Sequence, residues 1–217
     1  MIRFYVALII FSILPNYNFS DNSFIDIEKF KEEANQLSLI LQAKDNILIL
    51  AMRDKQNEIE IINFMKKLAK LESAHNWKII NKYGYVGKYQ FGTSARKAVG
   101  APKFTWKQFK RNPYIWTEHQ QDSAVVKLMK LNYTYLKNHF NTPGDNLDDF
   151  INIQFTLKDK STVKITYAGL LASSHLVGAG SVRKFLNTRG RYDNADANGT
   201  KLTKYMKHFE NNELMLK

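Results

Sequence analysis

Cysteine is absent from the chain, which removes disulfide bonds and thiolate metal sites from consideration. Acidic side chains are scarce: 20 Asp and Glu stand against 32 Lys and Arg, a formal net charge of +12. A surplus of that size draws a protein to polyanions such as nucleic acid, an anionic membrane surface or an acidic wall polymer, without choosing among them. Beyond the N-terminus no apolar run is long enough to span a bilayer, so no stable membrane span is expected in the mature chain. Metal-ligand spacing is also missing. His75, His119, His139, His175 and His208 form no paired motif, and neither a metal nor a cofactor is expected. Asn194-x-Asp196-x-Asn198-Gly199 has the oxygen spacing of a calcium loop, but Tyr205 occupies the position of its bidentate glutamate. An ordinary Asx-turn loop is the expectation there. The chain has no internal repeat and no low-complexity segment. It has no zinc-finger, helix-turn-helix or RNA-recognition signature either, so nucleic acid is not an expected partner.

What is present describes a folded, exported protein. A hydrophobic content of 44% and a charged content of 24% suit a globular chain, and 217 residues allow one domain with appendages. Arg3 precedes an uncharged, mostly apolar run over residues 4–14, the length of a signal-peptide core. Residues 1–20 are therefore expected to be a signal peptide or an N-terminal anchor. A small-x-small cleavage pattern is lacking around Ser20, which keeps an uncleaved anchor and a buried strand open as alternatives. The expected location is the periplasm, the cell envelope or the medium.

Residues 21–55 are expected to form a helical extension. Ser23-Phe24-Ile25-Asp26 resembles a capping box, with Phe24, Ile27, Ala34, Leu37 and Leu41 along one side. Asp45 and Asn46 are expected to interrupt it, and Asn57 with Glu60 to cap a second helix. In that helix Ile61, Ile62, Met65, Leu68 and Ala69 recur at three- and four-residue steps. Glu72 follows in phase, the one carboxylate on the apolar stripe. Burial there would disfavour its charged form and fit it to act as a general acid. Alternatively the helix frays first and Glu72 sits in water, and on periodicity alone that reading has the advantage.

After Asn76 the helical period is lost through Gly84, Gly87 and closely spaced tyrosines, which predicts a turn-rich loop or short hairpin. Short helices are predicted from Thr93 and from Thr105. A long one is predicted from Asn112-Pro113 to about Phe140, with Val125, Leu128, Met129, Leu136 and Phe140 inward. Residues 151–157 and 161–166 alternate around Lys158-Asp159-Lys160 as a small β-hairpin. Thr166 caps an apolar helix over 167–177, Gly178-Ala179-Gly180 closes it, a short helix follows, and Thr200 caps a final amphipathic one. The fold class is mainly α, with a minor β component.

Three stretches carry a resemblance. They are Glu72-Ser73 with Asn76-Trp77, Gly87-Lys88-Tyr89-Gln90-Phe91-Gly92, and the segment Gly169-Leu170-Leu171-Ala172-Ser173-Ser174-His175 running into Gly178-Ala179-Gly180. In this order they resemble the lysozyme-like superfamily, in particular the soluble lytic transglycosylase and goose-type lysozyme group, over about residues 56–209. The resemblance implies a lysozyme-like catalytic domain at 56–217 that cleaves the glycan strands of peptidoglycan. Glu72 matches the family's catalytic acid, Ser73 the serine beside it, and Gln90 the glutamine on the cleft floor. The third stretch departs from the family, since Ser174-His175 stands where Tyr-Asn is usual. The tyrosine that would hold the catalytic carboxyl is missing at that position, and Tyr167 or Tyr89 are the candidates to replace it.

A glycosidase of the two-carboxylate type needs a second acid across the cleft. In the transglycosylase mechanism that the resemblance implies, one glutamate acts as acid and then as base, giving a 1,6-anhydro product. Glu118, Asp122, Asp193 and Asp196 are candidates for a second acid only by residue type, and a solvated surface position is expected for each. The single-acid mechanism is preferred. Among the aromatics, Tyr85 and Tyr89 are expected to contact sugar, and Trp106 and Trp116 to belong to the core. His175 is either a cleft-lining residue or a core histidine. The alternatives to an enzyme are a lysozyme-like protein that binds glycan without cutting it and, behind that, a basic nucleic-acid binder.

Overall fold

The computed structural model describes residues 27–142 and 145–214. The expected signal peptide at 1–20 and the capping box at 23–26 lie outside the described residues. The chain divides into two units, 1–51 and 52–217. In order, the helices are α1 (Ile27–Ser73), α2 (Thr93–Val99), α3 (Trp106–Arg111), α4 (Glu118–His139), α5 (Tyr167–Val177), α6 (Ala179–Asn187) and α7 (Leu202–Phe209). Single 3-10 turns occupy Pro113–Trp116 and Leu147–Phe150. Strands β1 (Asn141–Thr142) and β2 (Asp145–Asn146) form one antiparallel pair, and β3 (Gln154–Thr156) and β4 (Thr162–Lys164) another. The protein is thus mainly helical with two small hairpins, the second where the alternation around Lys158–Lys160 predicts it. No helix among the described residues is long and apolar enough to cross a membrane.

Several expected boundaries are corrected. α1 is continuous through Asp45, Asn46, Asn57 and Glu60, and Gln56 donates to Glu60 within it instead of the pair capping a new start. Polar residues that often open helices are tolerated inside one when helical neighbours continue on both sides. In the first unit every described side chain of α1 from Lys31 on is exposed except half-buried Ala34. The helix expected from Asn112-Pro113 is split. Pro113 opens the short 3-10 turn, and Thr117 starts α4 through a capping box with Gln120.

In the second unit the core is organised by α5, which is apolar around its whole circumference and buried continuously from Ala168 to Ser174. Its Leu171 and Ala172 join Leu68, Phe91, Trp116, Val125 and Phe209 in one cluster, while Leu170 joins Phe140, Ile165, Phe185 and Met206 in another. α7 packs closely against α5 because Gly169 leaves room: a Cβ there would lie 3.3 Å from the Met206 backbone. Ser173 adds a hydrogen bond to the Leu202 carbonyl at 2.8 Å. α7 is not capped by Thr200. Lys201 is its N-cap residue, and Asp193 reaches in from the preceding loop to accept from the Thr203 N–H at 3.2 Å and its hydroxyl at 2.7 Å.

Candidate active site

α1 reaches Glu72 without fraying and ends one residue later. Ala74 and His75 both take left-handed backbone angles, φ 50° and 67°, and the His75 N–H returns to the Ala69 carbonyl at 3.1 Å. This is the helix stop that glycine usually supplies. Glu72 is thereby set in the last turn of a helix, where the partial negative charge of the C-terminus disfavours an anion. Its side chain keeps only 13% of its surface exposed. Burial raises the carboxyl pKa above its ordinary value; His175 and the Tyr205 hydrogen bond oppose this, the charge of Asp196 adds to it, and burial wins.

Tyr205, on α7, is the tyrosine that meets the acid. Its hydroxyl donates to Glu72 Oε1 at 2.7 Å, and its ring is 6% exposed. Burial and then the neighbouring Glu72 push the Tyr205 hydroxyl pKa up, so it remains a donor. Glu72 Oε2 takes no hydrogen bond among the described residues. The carboxyl therefore has one tethered oxygen and one unencumbered.

The three stretches behind the family resemblance meet around this acid. Ser73 Oγ donates to the Lys88 carbonyl at 2.7 Å, joining the end of α1 to the glycine-bounded segment. That segment is a tight reversal: Val86 and Phe91 exchange backbone hydrogen bonds, and the Gly87 N–H bonds to Ile79. Gln90, at φ 49°, closes the turn, its Nε2 donating to the Gly87 carbonyl at 2.8 Å. His175, from α5, lies 2.7 Å from the Tyr89 carbonyl through Nε2, which makes that nitrogen the N–H. The same Nε2 is 3.9 Å from Glu72 Oε1, too far for a hydrogen bond.

Gln121 was not among the expected site residues, yet it fixes the segment. Fully buried, it accepts from the Lys88 N–H at 2.7 Å and donates to the carbonyls of Trp77 at 3.0 Å and Trp116 at 2.8 Å. Gly87, at φ 82°, makes this possible, since a Cβ would sit 2.2 Å from Gln121 Oε1. The sequence signal is the second glutamine of Gln120-Gln121, in phase with Ala124, Val125 and Leu128 on the buried side of α4. Tyr205 had a similar signal, in phase with Leu202, Met206 and Phe209.

Several expected placements are corrected. Tyr89 is 1% exposed, its hydroxyl donating to Asp122 at 2.7 Å, so its ring is core and offers no face to a sugar. Tyr167 donates to Asp148 and packs edge-on against Tyr133, so neither candidate tyrosine holds Glu72. Tyr85 is half-buried with its ring over Gly92. Trp116 is core, but Trp106 is 48% exposed. Glu118 and Asp122 are not merely solvated, because both grip Lys88 Nζ at 2.9 Å. Burial lowers the Lys88 pKa and these two acids more than restore it, so it stays charged. Asp193 serves α7 as described. Asp196 accepts from the N–H groups of Asn198 and Thr200, the expected Asx-turn arrangement, and its charge also reaches Glu72 and Tyr205.

A cavity of about 620 Å³ opens between the 78–84 segment and Trp106, and a smaller one of about 260 Å³ lies near Phe104 and Ile115. Glu72 is in the wall of neither. The site can hold a proton on a desolvated carboxyl and present it from one oxygen. No family model, curated protein or solved structure matches the chain.

Proposed function

We propose that the protein cleaves the glycan strands of peptidoglycan in the cell envelope, with Glu72 as the general acid and a lysozyme-like arrangement of its catalytic domain. The observation that carries the reading is the state of Glu72: a desolvated carboxyl with a raised pKa, one oxygen tied to Tyr205 and the other free. Protonating a glycosidic oxygen requires such a group. The convergence of the Glu-Ser, Gly-Lys-Tyr-Gln-Phe-Gly and Ser-Ser-His stretches around it supports the same reading. The preferred course is that of a lytic transglycosylase, in which Glu72 gives its proton to the leaving oxygen. As a carboxylate it then takes one from the sugar's own C6 hydroxyl. A hydrolytic variant would need a second carboxylate, and Asp196, whose charge raises the Glu72 pKa, is the candidate for it.

Digestion of purified wall by the mature chain, with mass analysis of the fragments, tests the reading. Anhydro ends indicate the transglycosylase and reducing ends the hydrolase. Glu72→Gln retains the shape and removes the acid, with an expected loss of at least about 100-fold. Cleavage at the wild-type rate by that variant would sink the assignment. A second reading, glycan binding without cleavage, is favoured by the position of the larger cavity, whose walls do not include Glu72. Retention of the chain on insoluble wall with no release of fragments would select it.

A further inference from the structure

The 620 Å³ cavity has a composition that the proposed chemistry at Glu72 does not use. Lys78, Lys82 and Lys110 line it, and no carboxylate does. None of these three lysines is in an ion pair among the described residues. Two aromatic rings stand in its wall, Trp106 at 48% and Tyr83 at 46% exposed. Each has one face under an ammonium, of Lys107 at 5.6 Å and of Lys82 at 4.9 Å, and the other face left for a ligand. Trp106 is a large apolar surface left in water, unlike the core position its residue type predicts.

Asn81 also lines the cavity. Its Oδ1 accepts from the N–H groups of Tyr83 at 2.9 Å and Tyr85 at 3.0 Å, which fixes the plane of the carboxamide. Its Nδ2 donates to nothing among the described residues, so a donor is held in place with no internal acceptor. Lys82 lies over the Tyr83 ring at 4.9 Å, and Lys78 is held near Tyr114, its Nζ 3.4 Å from the hydroxyl. Their ammonium groups are thus partly ordered before any ligand arrives.

We infer that this cavity is a binding site for a short acidic saccharide, whose ring faces stack on Trp106 and Tyr83 while its acid groups meet Lys78, Lys82 and Lys110. The size is that of a pocket taking a discrete ligand, a range of about 300–1,000 Å³. A single-stranded nucleic acid needs cations strung along a backbone path with successive stacking rings. Here three lysines and two rings line one hollow. Pyranose hydroxyls match the fixed Asn81 donor, and carboxylate or phosphate groups match the lysines. The inference goes beyond the role proposed for Glu72 and does not depend on it.

The test uses the full mature chain and reads binding rather than cleavage, so its outcome is independent of the Glu72 reading. Tryptophan fluorescence is followed while tetragalacturonate, neutral chitotetraose and a short oligothymidylate are titrated in turn. Tetragalacturonate is expected to bind best and to weaken as salt rises. Lys82→Ala with Lys110→Ala is expected to weaken it by roughly tenfold or more. Trp106→Phe is expected to abolish most of the fluorescence change. All three positions are on the exposed surface, and far-UV circular dichroism verifies that the variants stay folded. No binding of the uronate, equal binding of the neutral sugar, tighter binding of the oligothymidylate, or lysine variants with unchanged affinity would each overturn the inference.

Discussion

Tyr205 and Glu72 are 133 residues apart in the chain and 2.7 Å apart in the fold, the hydroxyl donating to Oε1. A donor on a carboxylate stabilises the charged form, so this contact works against the burial that raises the Glu72 pKa. Burial, aided by the charge of Asp196, raises the pKa, while His175 and the Tyr205 hydrogen bond oppose it.

Removing the hydroxyl tests one of these influences. Tyr205→Phe deletes an interaction that lowers the Glu72 pKa, so the pKa rises further. In a pH profile of wall cleavage the limb on which activity is lost with rising pH is expected to move to higher pH. The rate at the optimum is expected to fall about tenfold, the value of one charge-assisted hydrogen bond. A limb that stays where it is in the variant contradicts the coupling.

Removing the carboxyl's own charge tests the cost of burying it. A carboxyl whose folded pKa lies above the unfolded value of 4.5 carries no penalty below pH 4.5. It loses stability as pH rises through the folded pKa, and the cost is then constant at higher pH. Glu72→Gln removes that cost. The variant is therefore expected to melt above wild type at pH 7, by about 2–4 °C for each kcal/mol relieved. At pH 4 the two should coincide. Thermal unfolding at both values checks the sign.

Gly87→Ala combines a left-handed φ of 82° with a Cβ 2.2 Å from Gln121 Oε1. The carboxamide is buried and bonds three backbone groups, so it cannot yield without leaving them unpaired. A loss of about 2–4 kcal/mol is expected, measured by urea unfolding. Gly84→Ala is the control for backbone strain alone, since open space surrounds its Cβ position at a similar φ of 81°.

The turn after Glu72 gives a prediction of opposite sign. His75 holds φ 67° without being glycine, a conformation that costs an L-residue roughly 1–2 kcal/mol. His75→Gly relieves that strain at an exposed position and is expected to stabilise the fold by roughly 0.5–1 kcal/mol, after the added freedom of the unfolded chain. Urea unfolding reads this directly.

Elements with strong local signals were legible in the sequence. The Thr105 capping box, the hairpin around Asp159, the apolar helix after Thr166 and the inward face of α4 all have short-range causes. The helix through residues 45–60 was not, because isolated capping residues look alike whether a helix starts at them or runs through them. Around Glu72 the local pattern marked the acid on the apolar stripe but not its partners. Tyr205, Gln121 and Asp196 meet the site by tertiary packing, which leaves only a polar residue in phase with a buried face. Trp106 shows the reverse case, a large aromatic that composition assigns to the interior and the fold leaves at the rim of a cavity.

The unequal dress of the two Glu72 oxygens has a stereochemical corollary. With Oε1 engaged by Tyr205, a proton given up by Glu72 in its proposed role would leave from Oε2, along one lobe of the carboxyl plane. In the role proposed for Glu72, a glycosidic oxygen would then meet the acid from the Oε2 side.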